Sequence, residues 1–439
     1  VRSYMEQYTE NELARNIFAI EDELTSLWLA GGMAGITDVR VQKDFRKRIE
    51  VASFGRNTVR FDANGQPSVL VKFSPDDKSK LAYLYADSTA GMQSSFIIDG
   101  KAKPWYRGKY QMGRVNGTNY PVCLRGLEPW YNITFNAAQA AIVAKGSGYC
   151  LPTQQMETFI ALACERNGFE PGGNTNYGSY YYAQDEKGIA SGMYSGNNYY
   201  HTKGGSGPLS WSHDGTPFGC FDIVGNTWKW TGALRTVNGE IQTFADNNGA
   251  GTLSTVAAHA VDSASWKAID VDGNLVTPEA GVSAYADATV YAADAIVMHN
   301  GVRYKALTNH TSESATEPGV GASWQTVWVR NGTLHYAWDG AKVLLTDHAE
   351  GLDDTSRTVT FSALTANISV PAIAVHLGLF PKASGNYKGT LYIKGGERMA
   401  RRGGDFTNTD DAGVRSLTLS NHRGSSYNVT GAGLAYTGD

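Results

Sequence analysis

Four cysteines, Cys123, Cys150, Cys164 and Cys220, are the only thiols in this chain of 439 residues, and none has the CxxC spacing of a redox or zinc pair. They are also too few and too scattered for a disulfide scaffold, so buried free thiols are expected. The other candidates for chemistry are His201, His213 and Asp214, in a long Gly/Tyr/Ser-rich stretch, which could coordinate a metal. Lone polar residues in a glycine-rich loop are more often solvated than ligating, so no metal site is assigned. The sequence contains no HExxH, no GxSxG nucleophile elbow and no phosphate-cradling GxxxxGK. No catalytic residue and no cofactor is therefore assigned, and the chain is expected not to be an enzyme.

The elements that would position any site are mostly strands. Fifty glycines, 24 tyrosines and 10 tryptophans against 18% charged residues describe turns and short aromatic strands rather than long helices. The expected class is α+β, mostly β, in about two to four units. A net charge of −4 without a block of like charges gives no pull toward nucleic acid or an anionic membrane. No apolar run is long enough for membrane insertion, and the opening VRSYMEQYTENELARN lacks the basic-then-apolar layout of a secretion signal.

Residues 7–30 carry Leu13, Ile17, Ile20, Leu24 and Leu27 at three-to-four spacing. This predicts an amphipathic helix capped at Thr9 or Asn11 and stopped at Gly31-Gly32. Its stripe can pack on its own domain, which the sequence favours, or join copies in a bundle. From Val39 to about Ile98 a small β region is expected, with strands near Thr58–Asp62 and Ser68–Phe73 and a turn at Asn64-Gly65. Helices are expected at 137–144 and 154–167. The Gly/Asn/Tyr/Ser-rich stretch 172–207, with Tyr180, Tyr181, Tyr182, Tyr199 and Tyr200, is long for a loop, and loops of that length carry function or mobility. Composition changes again near Gly239, and further strand-like runs follow from 331 onward.

Four segments then carry a resemblance. Residues 134–164, TFNAAQAAIVAKGSGYCLPTQQMETFIALAC, are similar to the helix and R-L-P-T-E-A-E-W-E signature of the formylglycine-generating-enzyme family, with Thr153 as helix cap. Cys220-Phe-Asp-Ile-Val-Gly-Asn-Thr-Trp-Lys-Trp230 resembles its G-L-x-D-M-x-G-N-V-W-E-W, in which Trp228 and Trp230 share one strand face in the core and Gly225-Asn226 turns before them. Arg401-Arg-Gly-Gly-Asp-Phe406 resembles R-G-G-S-W, and Ala412-Gly-Val-Arg415 with Gly431-Ala-Gly433 resembles the closing strands. The resemblance covers roughly 100–236 and 370–436 and implies a C-type-lectin-like domain. The family's oxidase depends on a pair of C-terminal cysteines, and no cysteine follows Cys220; its sulfoxide-synthase branch needs a histidine triad, and no HxxxH or HxH occurs. The chemistry is not carried over. Neither Glu-Pro-Asn nor Trp-Asn-Asp occurs, so calcium-dependent sugar binding is not expected either.

Within that fold the chain more closely resembles the variable proteins of diversity-generating retroelements, among them the major tropism determinants of phage tail fibres, which align with Gly403–Gly433 without a gap. What the resemblance implies is a variable, receptor-binding set: Asp405, Thr407, Asn408, Thr409, Asp411, Thr418, Ser420, Asn421, Ser425, Tyr427, Val429 and Thr430. Short polar side chains plus a tyrosine suit adaptable recognition, as in antibody loops. Residues 283–328, with Thr289-Val-Tyr291, Asp294, Val297, Asn300-Gly301, Tyr304-Lys-Ala306 and Trp324, resemble a small β module of chitinases and phage tail proteins. Its usual exposed aromatic pair is replaced by Leu307-Thr-Asn-His310, so Tyr291, Tyr304 and Trp324 are expected to form a mini-core and the module to act as a spacer or auxiliary binder.

The expected organisation is 1–98 for attachment or oligomerisation, 99–238 and 331–439 as two parts of the lectin-like domain with a variable region at 403–433, and 239–330 as an inserted β module resembling a carbohydrate-binding module. The expected function is non-enzymatic receptor binding at a phage tail-fibre tip. Its partners are a bacterial surface protein or glycan and other virion proteins, and a homotrimer multiplies weak contacts. A cellular retroelement variable protein, in the bacterial cytoplasm or at the cell surface, is the alternative; a divergent formylglycine-type oxidase is the disfavoured third.

Overall fold

A computed structural model describes residues 4–75, 94–115, 117–191, 193–194, 198–381 and 388–438. The expected β region between Val39 and Ile98 lies partly outside the described residues, as does the side chain of Tyr199. The molecule is mostly β with few helices, an N-terminal helix and one large sheet, which is the α+β class expected.

Helix α1 spans Tyr4–Ala30. It runs through Thr9 and Asn11, so neither caps its start. Its buried stripe is Ile17, Ile20, Leu24 and Trp28; Leu27, expected in that stripe, is 44% exposed. The 3.6-residue period continues better through Trp28, whose indole N–H donates to Gln66 Oε1 at 2.8 Å. The helix packs on its own chain. Glu21, on the inner face, pairs with Lys109 Nζ at 2.7 Å, with both side chains fully buried.

Residues Val39–Ala52 correct the sequence reading, because they form helix α2 where a β region was expected. Asp38 caps it by accepting the Arg40 N–H at 2.8 Å, and Phe45 and Ile49, one turn apart, are buried. The charged run from Lys43 to Arg48 thinned the apolar period to three positions, and Val39-Arg-Val41 imitates strand alternation. The hairpin that follows was legible: Asn57–Phe61 pairs antiparallel with Pro67–Phe73 across the Asn64-Gly65 turn. It continues into a five-stranded sheet through Trp105–Gly108, then Ala435–Tyr436, then Tyr149–Cys150.

Helices α3 (Phe135–Val143) and α4 (Gln154–Arg166) are capped by Thr134 and Thr153. Helix α4 is buried along most of its length; Phe159 packs edge-on against Trp105, itself stacked on Phe73 at 4.2 Å.

The large sheet is built around Trp228–Val237, in which Trp228 and Trp230 are both buried as expected. On one side lie Glu397–Arg402, Leu417–Asn421, Thr390–Ile393 and Arg357–Thr360; on the other lie Glu240–Thr243, His335–Trp338, Val343–Thr346 and Thr365–Ala366. Lys267–Ile269 and Leu275–Val276 extend from Glu240–Thr243. The composition change near Gly239 thus marks no break in this sheet. Residues 284–328, by contrast, form small sheets of their own, with Ile296–His299, Val302–Ala306 and Trp328–Arg330 around a separate apolar cluster.

Candidate functional site

Strands Glu397–Arg402 and Leu417–Asn421 run antiparallel and are joined by a return loop over 403–416. A Cβ on Gly403 (φ +90°) would lie 2.1 Å from the Ile223 carbonyl oxygen, and one on Gly404 (φ +79°) 2.7 Å from Ala412 Cβ; the paired glycines permit this close approach. Just before them Arg401 lies buried over the rings of Trp228 and Trp230, its guanidinium carbon 5.8 and 5.1 Å from their centroids. Nη1 donates to Thr430 Oγ1 at 2.5 Å and Nη2 to Asn421 Oδ1. Ser420 donates to Asn421 Oδ1 at 3.1 Å, and the Thr418 and Ser420 hydroxyls are 2.7 Å apart. One cation therefore joins Thr418, Ser420, Asn421 and Thr430 in a single network. Burial pushes the Arg401 pKa down to about 10, which still leaves it charged near neutrality.

The return loop is ordered by its own side chains. Asp405 Oδ1 accepts the Thr407 N–H and hydroxyl, each at 2.7 Å, and Asn408 Oδ1 accepts the Asp405 N–H at 2.8 Å. Thr409 adopts φ +50° and donates its N–H to the Thr175 carbonyl at 2.9 Å. Asp411 accepts hydrogen bonds from Thr390 (2.6 Å) and Tyr392 (2.9 Å), and Tyr392 stands edge-on to Trp228. In the second loop the Ser425 N–H donates to the His422 carbonyl, the Tyr427 carbonyl accepts from Asn132 and Thr430, and the Val429 carbonyl accepts from Trp228.

Of the twelve positions carried over from the resemblance, Thr407 and Tyr427 are exposed, and Asn408, Thr409, Asp411, Ser420, Asn421 and Val429 are half-buried. Asp405, Thr418, Ser425 and Thr430 are buried and hold the loops rather than presenting themselves to solvent.

Sequence reasoning gave no role to Arg401, to Tyr392, or to a row of rings linking the Gly/Tyr-rich stretch to both loops. Tyr131 stacks on His201 with centroids 4.3 Å apart; His201 meets Phe406 at 5.1 Å, Phe406 meets Tyr200 at 4.8 Å, and Tyr200 meets Tyr177 at 5.5 Å. His201 Nε2–H donates to the Asn428 carbonyl at 2.8 Å, and burial lowers its pKa, so it acts as a neutral packing residue. The Arg-Arg-Gly-Gly motif and the tyrosine-rich stretch were the available signals; their meeting was not legible. Of the tyrosine cluster, Tyr180 accepts a hydrogen bond from Lys388 Nζ at 3.1 Å, and the same ammonium lies 3.9 Å from the Tyr182 ring centroid.

His213 Nδ1 accepts the Cys220 N–H at 2.8 Å, and Asp214 pairs with Arg56. Among the described residues no group of three or more His, Cys, Asp or Glu could hold a metal ion. All four cysteines are buried, and burial raises every thiol, Cys123 to about 11 and Cys150 to about 12, far from nucleophilic at neutral pH.

In the 284–328 region Val297, Tyr304, Ala306 and Trp328 form the core, with Tyr285, Tyr291 and Trp324 partly buried around it. The mini-core expected of Tyr291, Tyr304 and Trp324 is thus present but centred on Trp328, 1% exposed, with His310 edge-on to it at 4.8 Å. Leu307, where an aromatic platform would begin, is 48% exposed.

Carbohydrate-binding module family 5/12 matches residues 284–328, the same segment. No curated protein matches the chain. The similarity of this segment points to sugar recognition and to binding rather than catalysis. Among the described residues no helix is long and apolar enough to cross a membrane.

Proposed function

We propose that this chain is a non-enzymatic receptor-binding protein of a phage tail fibre that recognises a bacterial surface glycan. The observation that carries the reading is the carbohydrate-binding-module match at 284–328. The main contact face is the lectin-like segment 403–433, and the module is an auxiliary binder beside it. What supports this assignment is the placement of eight of the twelve positions at or near the surface, Thr407 and Tyr427 fully exposed, while the buried Asp405, Thr418, Ser425 and Thr430 brace the loops. The N-terminal region attaches the chain to other virion proteins, and three copies multiply weak contacts.

The test is adhesion of purified chain to bacteria with and without their surface polysaccharide. Binding that is lost on stripped cells and competed by free polysaccharide is expected. Equal binding to intact and stripped cells would falsify the glycan reading.

A further inference from the structure

Beside the second loop of the candidate face lies a cavity of about 480 Å³, lined by Arg114, Leu127 and the run from Glu128 to Asn132. None of its residues belongs to the twelve positions. We infer that this cavity is a fixed subsite for one neutral pyranose unit of the recognised glycan, an inference that rests on the sugar-recognising reading above.

The size falls within the roughly 300–1,000 Å³ of small-ligand sites. Its wall is rigid. Trp130 is 6% exposed, its backbone N–H donates to the Met112 carbonyl at 2.7 Å, and the Arg114 guanidinium lies 5.2 Å from its ring centroid. Tyr131 is held on one ring face by the stacked His201. A pyranose offers an apolar C–H face and a rim of hydroxyls, and it needs an aromatic wall beside planar polar groups. The cavity supplies these as the Arg114 guanidinium, the Glu128 carboxylate and the Asn132 amide, three exposed side chains that line one space.

Charge selects among sugars. Arg114 and Glu128 are opposite charges in one small cavity, so an anionic sugar meets Glu128 and a cationic one meets Arg114; a neutral unit uses both as hydrogen-bond partners. The rim meets the second loop at that loop's backbone carbonyls, since the Asn132 N–H donates to the Tyr427 carbonyl and His201 Nε2–H to that of Asn428. Side chains at 427 and 429 can therefore change while the cavity keeps its shape.

The experiment uses the full chain, saturation-transfer NMR with the methyl glycosides of glucose, galactose and mannose and with N-acetylglucosamine, and the variants Glu128→Gln and Asn132→Ala. Both side chains are exposed and outside the core, and an amide spectrum of each variant checks its fold. At least one sugar is expected to bind, with its Kd weakened roughly tenfold by either change. A sugar signal untouched by both variants overturns the subsite. So does the absence of any signal while polysaccharide-dependent adhesion persists, an outcome that leaves the receptor reading standing. Adhesion indifferent to polysaccharide, with no sugar bound, removes both.

Discussion

The module at 284–328 and the segment at 403–433 are both short strands and turns, yet they meet solvent in opposite ways. The module has too few residues to bury much, so its rings turn inward: Trp328 and Tyr304 are buried, and Tyr285, Tyr291 and Trp324 lean on them. The C-terminal segment shares the core of the large sheet. Leu417 and Leu419 fill that core while the alternate residues Thr418 and Ser420 carry the polar network of Arg401. A strand that leans on a large core can give its other face to polar side chains. A strand that must make its own core cannot.

The comparison breaks most visibly at Trp328. Trp328→Ala should cost the module about 3–5 kcal/mol and appear in calorimetry as a separate early transition, with the main transition unmoved. A single shifted transition would mean that the two regions unfold together. Arg401→Ala should act the other way round, lowering the main transition by roughly 2–4 kcal/mol, because Thr430 and Asn421 lose a buried charged partner.

A third test uses pH. Burial raises the Glu170 carboxyl from an ordinary 4.5 to about 7, beside the Val414 N–H of the C-terminal segment. Its folded-state pKa lies above the unfolded one, so the stability it contributes is complete below 4.5 and is lost as pH rises through about 7. Urea unfolding across that window should show wild type falling relative to Glu170→Gln by about 1–3 kcal/mol, and parallel curves would refute the assignment. The smallest effect belongs to an exposed position. Tyr427→Ala should leave unfolding within about 0.5 kcal/mol while changing adhesion to cells.

How much of this was legible varied with how local the signal was. The Leu-Pro-Thr entry to α4, the Asn-Gly hairpin and the Trp228/Trp230 pair are complete within a dozen residues, and each formed where expected. Helix α2 was not legible, because its charged run left only Val41, Phe45 and Ile49 to mark the apolar face. In α1 the register slipped by one, from Leu27 to Trp28, since both residues fit a three-to-four spacing. Within the candidate site the twelve positions came from motif order alone, which does not distinguish surface from interior, and four of them, Asp405, Thr418, Ser425 and Thr430, are buried. Arg401 could not be singled out, because its meaning depends on Thr430 and Asn421 arriving from separate strands, and the ring row from Tyr131 to Tyr177 depends on three loops meeting.

The pairing of Ala435–Tyr436 between Trp105–Gly108 and Tyr149–Cys150 bears on how the chain reaches its native state. Until that strand emerges from the ribosome, two earlier strands expose open edges, each a template for the wrong neighbour. Closing the sheet requires contacts between residues very distant along the chain, a topology that folds slowly. High-level expression should therefore favour aggregation before Ala435–Tyr436 arrives, and the yield of native protein should respond to temperature and to chaperone supply more than to substitutions at the exposed positions of 403–433.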